Sequence, residues 1–87
     1  MLSKNITIKN PSGLHMRPAG IFAKACMPFK SDVFFDIRGN TYNGKSMIKV
    51  LSAAVKCGDG IELRIDGEDE ADCMAAIVAA VEGGLGE

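Results

Sequence analysis

Residues 10–20 read NPSGLHMRPAG and hold the only histidine of the chain, His15, with Arg17 two positions on and Pro18 after it. Gly13 can take positive φ, so a chain leaving a strand can turn sharply there. Pro18 lacks an N–H and fits the first turn of a helix. The spacing predicts a strand before Asn10, a turn through Pro11-Ser12-Gly13 and a helix starting at about Met16. His15 then stands at the helix entrance. The first N–H groups of a helix have no intrahelical acceptor and carry the positive end of its dipole. An anion is stabilised at that point, and the same field disfavours imidazolium. A neutral imidazole can attack phosphorus, and the group it accepts would lie against the Met16 and Arg17 amides. The Arg17 guanidinium has the fork geometry that suits phosphate oxygens. The chemistry expected is an anionic group carried covalently on His15. The same pattern also fits a plainer use, with His15 as an N-cap or a hydrogen-bonded packing residue. A metal site is not expected, because a lone histidine brings no Cys, Asp or Glu at ligand spacing.

The elements that must position this stretch can be read from periodicity. Leu2 to Ile8 alternates as a first strand, with Leu2, Ile6 and Ile8 on one face and Lys4 breaking the pattern. Met16 to about Met27 buries Ala19, Phe22, Ala23 and Cys26 as a helical stripe, leaving Met16, Gly20, Lys24 and Met27 on the other face before Pro28 stops it. Asp32 to Ile37 is a second strand with Val33, Phe35 and Ile37 inward. A Gly39-Asn40 hairpin turn leads into a third at Thr41 to Asn43. Ser46 has the character of an N-cap for a short helix through Met47, Ile48, Val50 and Leu51. Gly58-Asp59-Gly60 turns into Ile61 to Asp66, where alternation is clearest. Asp69 and Asp72 resemble a capping arrangement for a last helix with Met74, Ile77, Val78 and Val81 inward, ended by Gly83-Gly84. The order is β-α-β-β-α-β-α, and three helices can cover one face of a four-stranded sheet.

Composition narrows the classes. Eighty-seven residues with 47% hydrophobic content allow one small domain, taken as 1–87, with one modest core. No apolar run is long enough to span a membrane. MLSKNITIKN has no long apolar run or small-residue cleavage site, so no signal peptide is expected and the cytoplasm is the default. Cys26, Cys57 and Cys73 are too few and too widely spaced for a disulfide framework or zinc ribbon. Cys26 and Cys73 read as core residues, Cys57 as more exposed. A formal net charge of −1 hides an asymmetry, since eight of ten Lys and Arg precede Val50 and nine of eleven acids follow it. Arg17, Lys24, Lys45 and Lys49 could rim the His15 region and steer acidic partners. Direct nucleic-acid binding is disfavoured by the acidic balance and 6% aromatic content. Met16, Gly20, Met47, Ile48 and Leu51 could line an apolar docking patch beside His15, because a short helix cannot bury both Met47 and Ile48.

The run Gly13-Leu14-His15-Met16-Arg17-Pro18-Ala19 resembles the active-site signature of the HPr family, the histidine-containing phosphocarriers of the bacterial phosphoenolpyruvate-dependent sugar phosphotransferase system. The likeness continues through the strand before the motif, Lys45-Ser46, Gly58-Asp59-Gly60 and Gly67-Glu68-Asp69-Glu70. It implies an α+β, two-layer open-faced sandwich with an antiparallel sheet of order 1-4-2-3 and three helices on one face. It implies a stoichiometric carrier rather than an enzyme, taking phosphate on Nδ1 of His15 from Enzyme I and passing it to IIA domains of sugar permeases. Arg17 would steady the phosphate, and no metal or cofactor would be needed. Met16, Gly20, Lys24, Met47, Ile48, Lys49 and Leu51 would form the surface shared by donor and acceptor proteins, used by a monomer.

Ser46 matches a regulatory phosphorylation site of HPr from many Gram-positive bacteria. The partners implied there extend to an HPr kinase/phosphorylase and a catabolite-control transcription factor. Lys49 departs from the regulated type, which often has glycine at that place, so regulated and purely capping use both stay open. Two other readings fit the chain. One is a specialised member of the family serving nitrogen-related regulation or dihydroxyacetone phosphorylation. The other is a small α/β binding module in which His15 is structural.

Overall fold

The computed structural model describes residues 1–86 and orders them as β1 (Leu2–Thr7), α1 (Met16–Cys26), β2 (Asp32–Ile37), β3 (Asn40–Asn43), α2 (Met47–Ser52), β4 (Gly60–Asp66) and α3 (Glu70–Glu82). One antiparallel sheet runs β1-β4-β2-β3, the order that the resemblance implied. Alternation explains its two faces. Val33, Phe35, Ile37, Ile61, Leu63 and Ile65 are buried, while the residues between them face outward. α1 packs on α2 and α3, and α3 reaches β1 and β4, so the helices close one face and leave the other open. Ala19, Phe22, Ala23 and Cys26 form the inward stripe of α1 as the periodicity predicts. Phe22 meets Phe35 edge-on with ring centroids 5.8 Å apart, and Tyr42 stacks on Phe35 from β3. Cys26 and Cys73 lie fully inside; burial pushes the Cys26 thiol up to about 12 and keeps it from ionising. Cys57 is exposed.

Three local expectations need correction. β1 stops at Thr7, and as an edge strand it leaves Leu2 well exposed and Ile6 half-buried; Ile8 is fully buried but lies beyond the strand. The β2–β3 turn is Arg38-Gly39 rather than Gly39-Asn40, because Ile37 pairs with Asn40. Both turn residues have positive φ, 50° and 79°, as a two-residue hairpin turn matching the strand twist requires. α1 closes at Cys26 with Met27 as its C-cap, in line with the expected end at about Met27. Asp69 is the N-cap of α3 in position but makes no side-chain cap bond. Its carboxylate instead accepts from the Ser31 hydroxyl and from the Lys30 and Ser31 amides, at 2.9 and 3.0 Å for the amides. Those donors satisfy the loop that joins α1 to β2, while Glu70 accepts from the Gly67 amide at 3.2 Å. No helix among the described residues is long and apolar enough to cross a membrane.

The Asp69 contacts set a pH dependence. The Ser31 hydroxyl, then the Lys30 amide, hold the carboxyl at about 2, below its ordinary 3.8. A depressed folded value gives stability that is complete above the unfolded value and lost as pH falls through the folded one. Asp69→Asn should therefore flatten the loss of stability between about pH 4 and pH 2, read as urea midpoint against pH. An acid limb as steep as the parent's would contradict this assignment.

Candidate functional site

The approach to His15 is fixed before the helix begins. Gly13 donates to the Asn10 carbonyl at 3.0 Å, and the buried Asn10 side chain donates back to the Gly13 carbonyl at 2.6 Å. Gly13 sits at φ +61°, and a Cβ there would stand 2.4 Å from the Val55 carbonyl oxygen and 2.7 Å from Lys56 Cα. Glycine is needed twice over, for the backbone angle and for the close approach. Leu14 then donates to the Val55 carbonyl at 2.8 Å and drops its side chain into the core. The chain emerges at His15 in extended conformation, φ −79° and ψ −173°, as the N-cap of α1.

His15 caps by position only. Its carbonyl accepts from Ala19 at 2.7 Å, but its side chain makes no cap bond and its ring is exposed. That geometry excludes the buried packing use of the histidine. Of the three residues after it, Pro18 has no N–H, which leaves the Met16 and Arg17 amides as first-turn donors without an intrahelical acceptor. No acidic side chain stands in this first turn, so the helix end receives no negative charge from the turn itself. Arg17 is exposed, and no ion pair among the described residues engages it. Among the described residues no group of three His, Cys, Asp or Glu is placed to hold a metal.

Two open depressions, each of about 470 Å³, flank Met16. The first holds His15 with Ser12, Leu14, Met16, Leu51, Ala54, Val55 and Lys56. Sequence reasoning missed Ser12, Ala54, Val55 and Lys56, which carry no motif; the tight glycine at 13 was the one sign that another segment must press against it. The second depression brings together Met16, Arg17, Gly20, Lys24, Met27 and Met47. Met16 and Met47 are 61% and 42% exposed and Ile48 78%, a large apolar share left in solvent by α1 and α2. Lys49 is exposed on α2 and Leu51 is half-buried on the His15 side. Lys45 departs from the expected basic rim. Its ammonium donates to the Phe29 carbonyl at 2.7 Å, past the opposite end of α1 from His15. Ser46 caps α2 as the sequence suggests, accepting from the Lys49 amide at 3.3 Å while half-buried.

A family model described as PTS HPr component phosphorylation site matches residues 2–83. Phosphocarrier protein HPr of Neisseria meningitidis serogroup B is 38% identical over 87 residues, covering 100% of this chain and 98% of that protein. HPr-like protein Crh of Halalkalibacterium halodurans is 34% identical over 82 residues, covering 94% of this chain and 98% of its own. A crystal structure of HPr-C-His from Thermoanaerobacter tengcongensis superposes with a TM-score of 0.96 at 33% identity, covering 100% of this chain and 98% of that one.

The double demand on Gly13 is open to direct measurement. Gly13→Ala should lower unfolding free energy by about 2–4 kcal/mol, from a left-handed alanine and the forced overlap with the Val55 carbonyl. Chemical denaturation reads it, and a loss under about 0.5 kcal/mol would mean that the loop yields without consequence.

Proposed function

The chain belongs to the HPr family of phosphocarrier components of the phosphotransferase system, and we propose that it carries a phosphoryl group on His15 from phosphorylated Enzyme I to IIA domains of sugar permeases. The observation that supports this most is an exposed single histidine at the entrance of a helix whose first amides lack intrahelical acceptors. In the transfer, an imidazole nitrogen lone pair, Nδ1 by family likeness, forms the bond to phosphorus as phosphorus parts from the donor's carrying atom. No redox step and no water enters. The reverse exchange delivers the group to an acceptor, so residues 1–87 act as a carrier and not as a catalyst.

The Met16 and Arg17 amides would hold the phosphoryl oxygens, with the Arg17 guanidinium above them. An exposed site suits a group that must leave as readily as it arrives. Met16, Gly20, Met47, Ile48 and Leu51 would dock donor and acceptor, and Lys24 and Lys49 at the edge would steer their acidic surfaces. Docking of this kind requires no oligomer, and the carrier would work as a monomer in the cytoplasm. Phosphate on Ser46 would lie at the start of α2, adding negative charge beside the apolar patch and repelling acidic partners. That would make Ser46 a brake under a serine kinase, in addition to its capping bond.

Incubation with Enzyme I and labelled phosphoenolpyruvate tests the carrier reading. One acid-labile, base-stable phosphate is expected per chain, absent in His15→Ala; labelling of His15→Ala to the parent's extent would overturn it. Arg17→Ala should keep the fold and slow transfer by about tenfold or more, as loss of a charge-stabilising donor does. Parent-like kinetics would take Arg17 out of the mechanism. Ser46→Asp should weaken binding to Enzyme I, measured by titration calorimetry, and equal affinity would argue against electrostatic gating.

A further inference from the structure

The β2–β3 turn and the loop from α2 to β4 meet at one side chain. The Arg38 guanidinium donates from Nη2 to the Ala53 carbonyl at 2.5 Å and to the Ala54 carbonyl at 3.5 Å, while Nη1 lies 3.3 Å from Asp59 Oδ2. That same carboxylate oxygen accepts the Lys56 amide at 2.9 Å. One fork thus spans residues 53 to 59, gripping the start of the loop and, through Asp59, its far side. The hairpin turn aims this side chain, since Arg38 itself sits at φ +50°.

What the fork grips is strained. Ala54 has φ +53°, a conformation that costs an L-residue with a Cβ roughly 1–2 kcal/mol and persists only where its surroundings over-determine it. The carbonyls on both sides of the Ala54 Cα are the two that Arg38 holds. Ala54, Val55 and Lys56 then wall the depression around His15, and Val55 takes the Leu14 amide.

We propose that Arg38 is a positioning residue for His15: it clamps the Ala53 and Ala54 carbonyls and Asp59, and so sets the wall against which the imidazole and its phosphoryl group sit. It touches neither. The exposed Arg38–Asp59 pair is a weak source of stability by itself; the effect comes from a planar fork that reaches two carbonyls and a carboxylate together, which a lysine cannot reproduce. The kinetic consequence rests on the carrier reading above, whereas the consequence for the His15 ring does not.

The test uses the whole chain with Arg38→Ala, Arg38→Lys and Arg38→Ala/Ala54→Gly. His15 is the single histidine, so its ring proton resonances are unambiguous. In folded Arg38→Ala those resonances should move, and maximal transfer from Enzyme I should slow roughly three- to tenfold with KM for the carrier little changed, because the docking side chains are untouched. Ala54→Gly accepts the left-handed angle without strain and should restore at least half of the lost rate. Arg38→Lys, which serves as the test if Arg38→Ala does not fold, should fall between. His15 resonances that stay in place in the folded variants overturn the proposal, as does a lost rate that Ala54→Gly leaves unrecovered. If the parent itself takes no label from Enzyme I, the carrier reading fails while the ring resonances still decide the clamp.

Discussion

One backbone hydrogen bond decides where the first helix starts. The Leu14 amide reaches the Val55 carbonyl only because Gly13, without a Cβ, lets the two segments nearly touch. Leu14 is thereby committed to the core, and the next residue must point out. His15 inherits its place from that alternation of one buried and one exposed residue. A chain that lost the contact would keep its sheet, held by the β1–β4 and β2–β4 ladders, but would have no defined entrance to α1.

The rest of the molecule is arranged around keeping that entrance both rigid and open. Pro18 and Ala19 are buried against the core directly behind the exposed first turn, so the turn cannot fray inward or outward without moving packed side chains. No acid stands in the first turn, and Arg17, which no ion pair among the described residues engages, adds positive charge there. An anion arriving there would meet donors already oriented, with little rearrangement left to do. The apolar side chains of α1 and α2 that stay in solvent lie beside this charge.

The large features were legible because they depend on repeating patterns. Periods of two and 3.6 place Val33, Phe35 and Ile37 or Ala19, Phe22 and Cys26 inward whatever the loops do, and a glycine, a histidine and a proline at fixed spacing mark one helix start. What could not be read were side chains whose partners are distant in the chain. Asp69 looks like a cap for the helix that follows it, yet its carboxylate serves Lys30 and Ser31, some forty positions earlier. Lys45 is near Ser46 in sequence and turns instead to Phe29. Arg38 occupies a turn position usually given to residues tolerant of positive φ, and only the assembled sheet puts its guanidinium against Ala53, Ala54 and Asp59. The wall around His15 is built from such a segment, which carries no local pattern of its own.

The central claim is that a phosphoryl group on His15 is held by the first-turn amides of α1. Amide proton and nitrogen shifts, compared residue by residue between the phosphorylated and free protein, test it most directly. The account predicts the largest downfield amide proton shifts at Met16 and Arg17, with the sheet unmoved. Unchanged Met16 and Arg17 amides in a protein phosphorylated on His15 would contradict it.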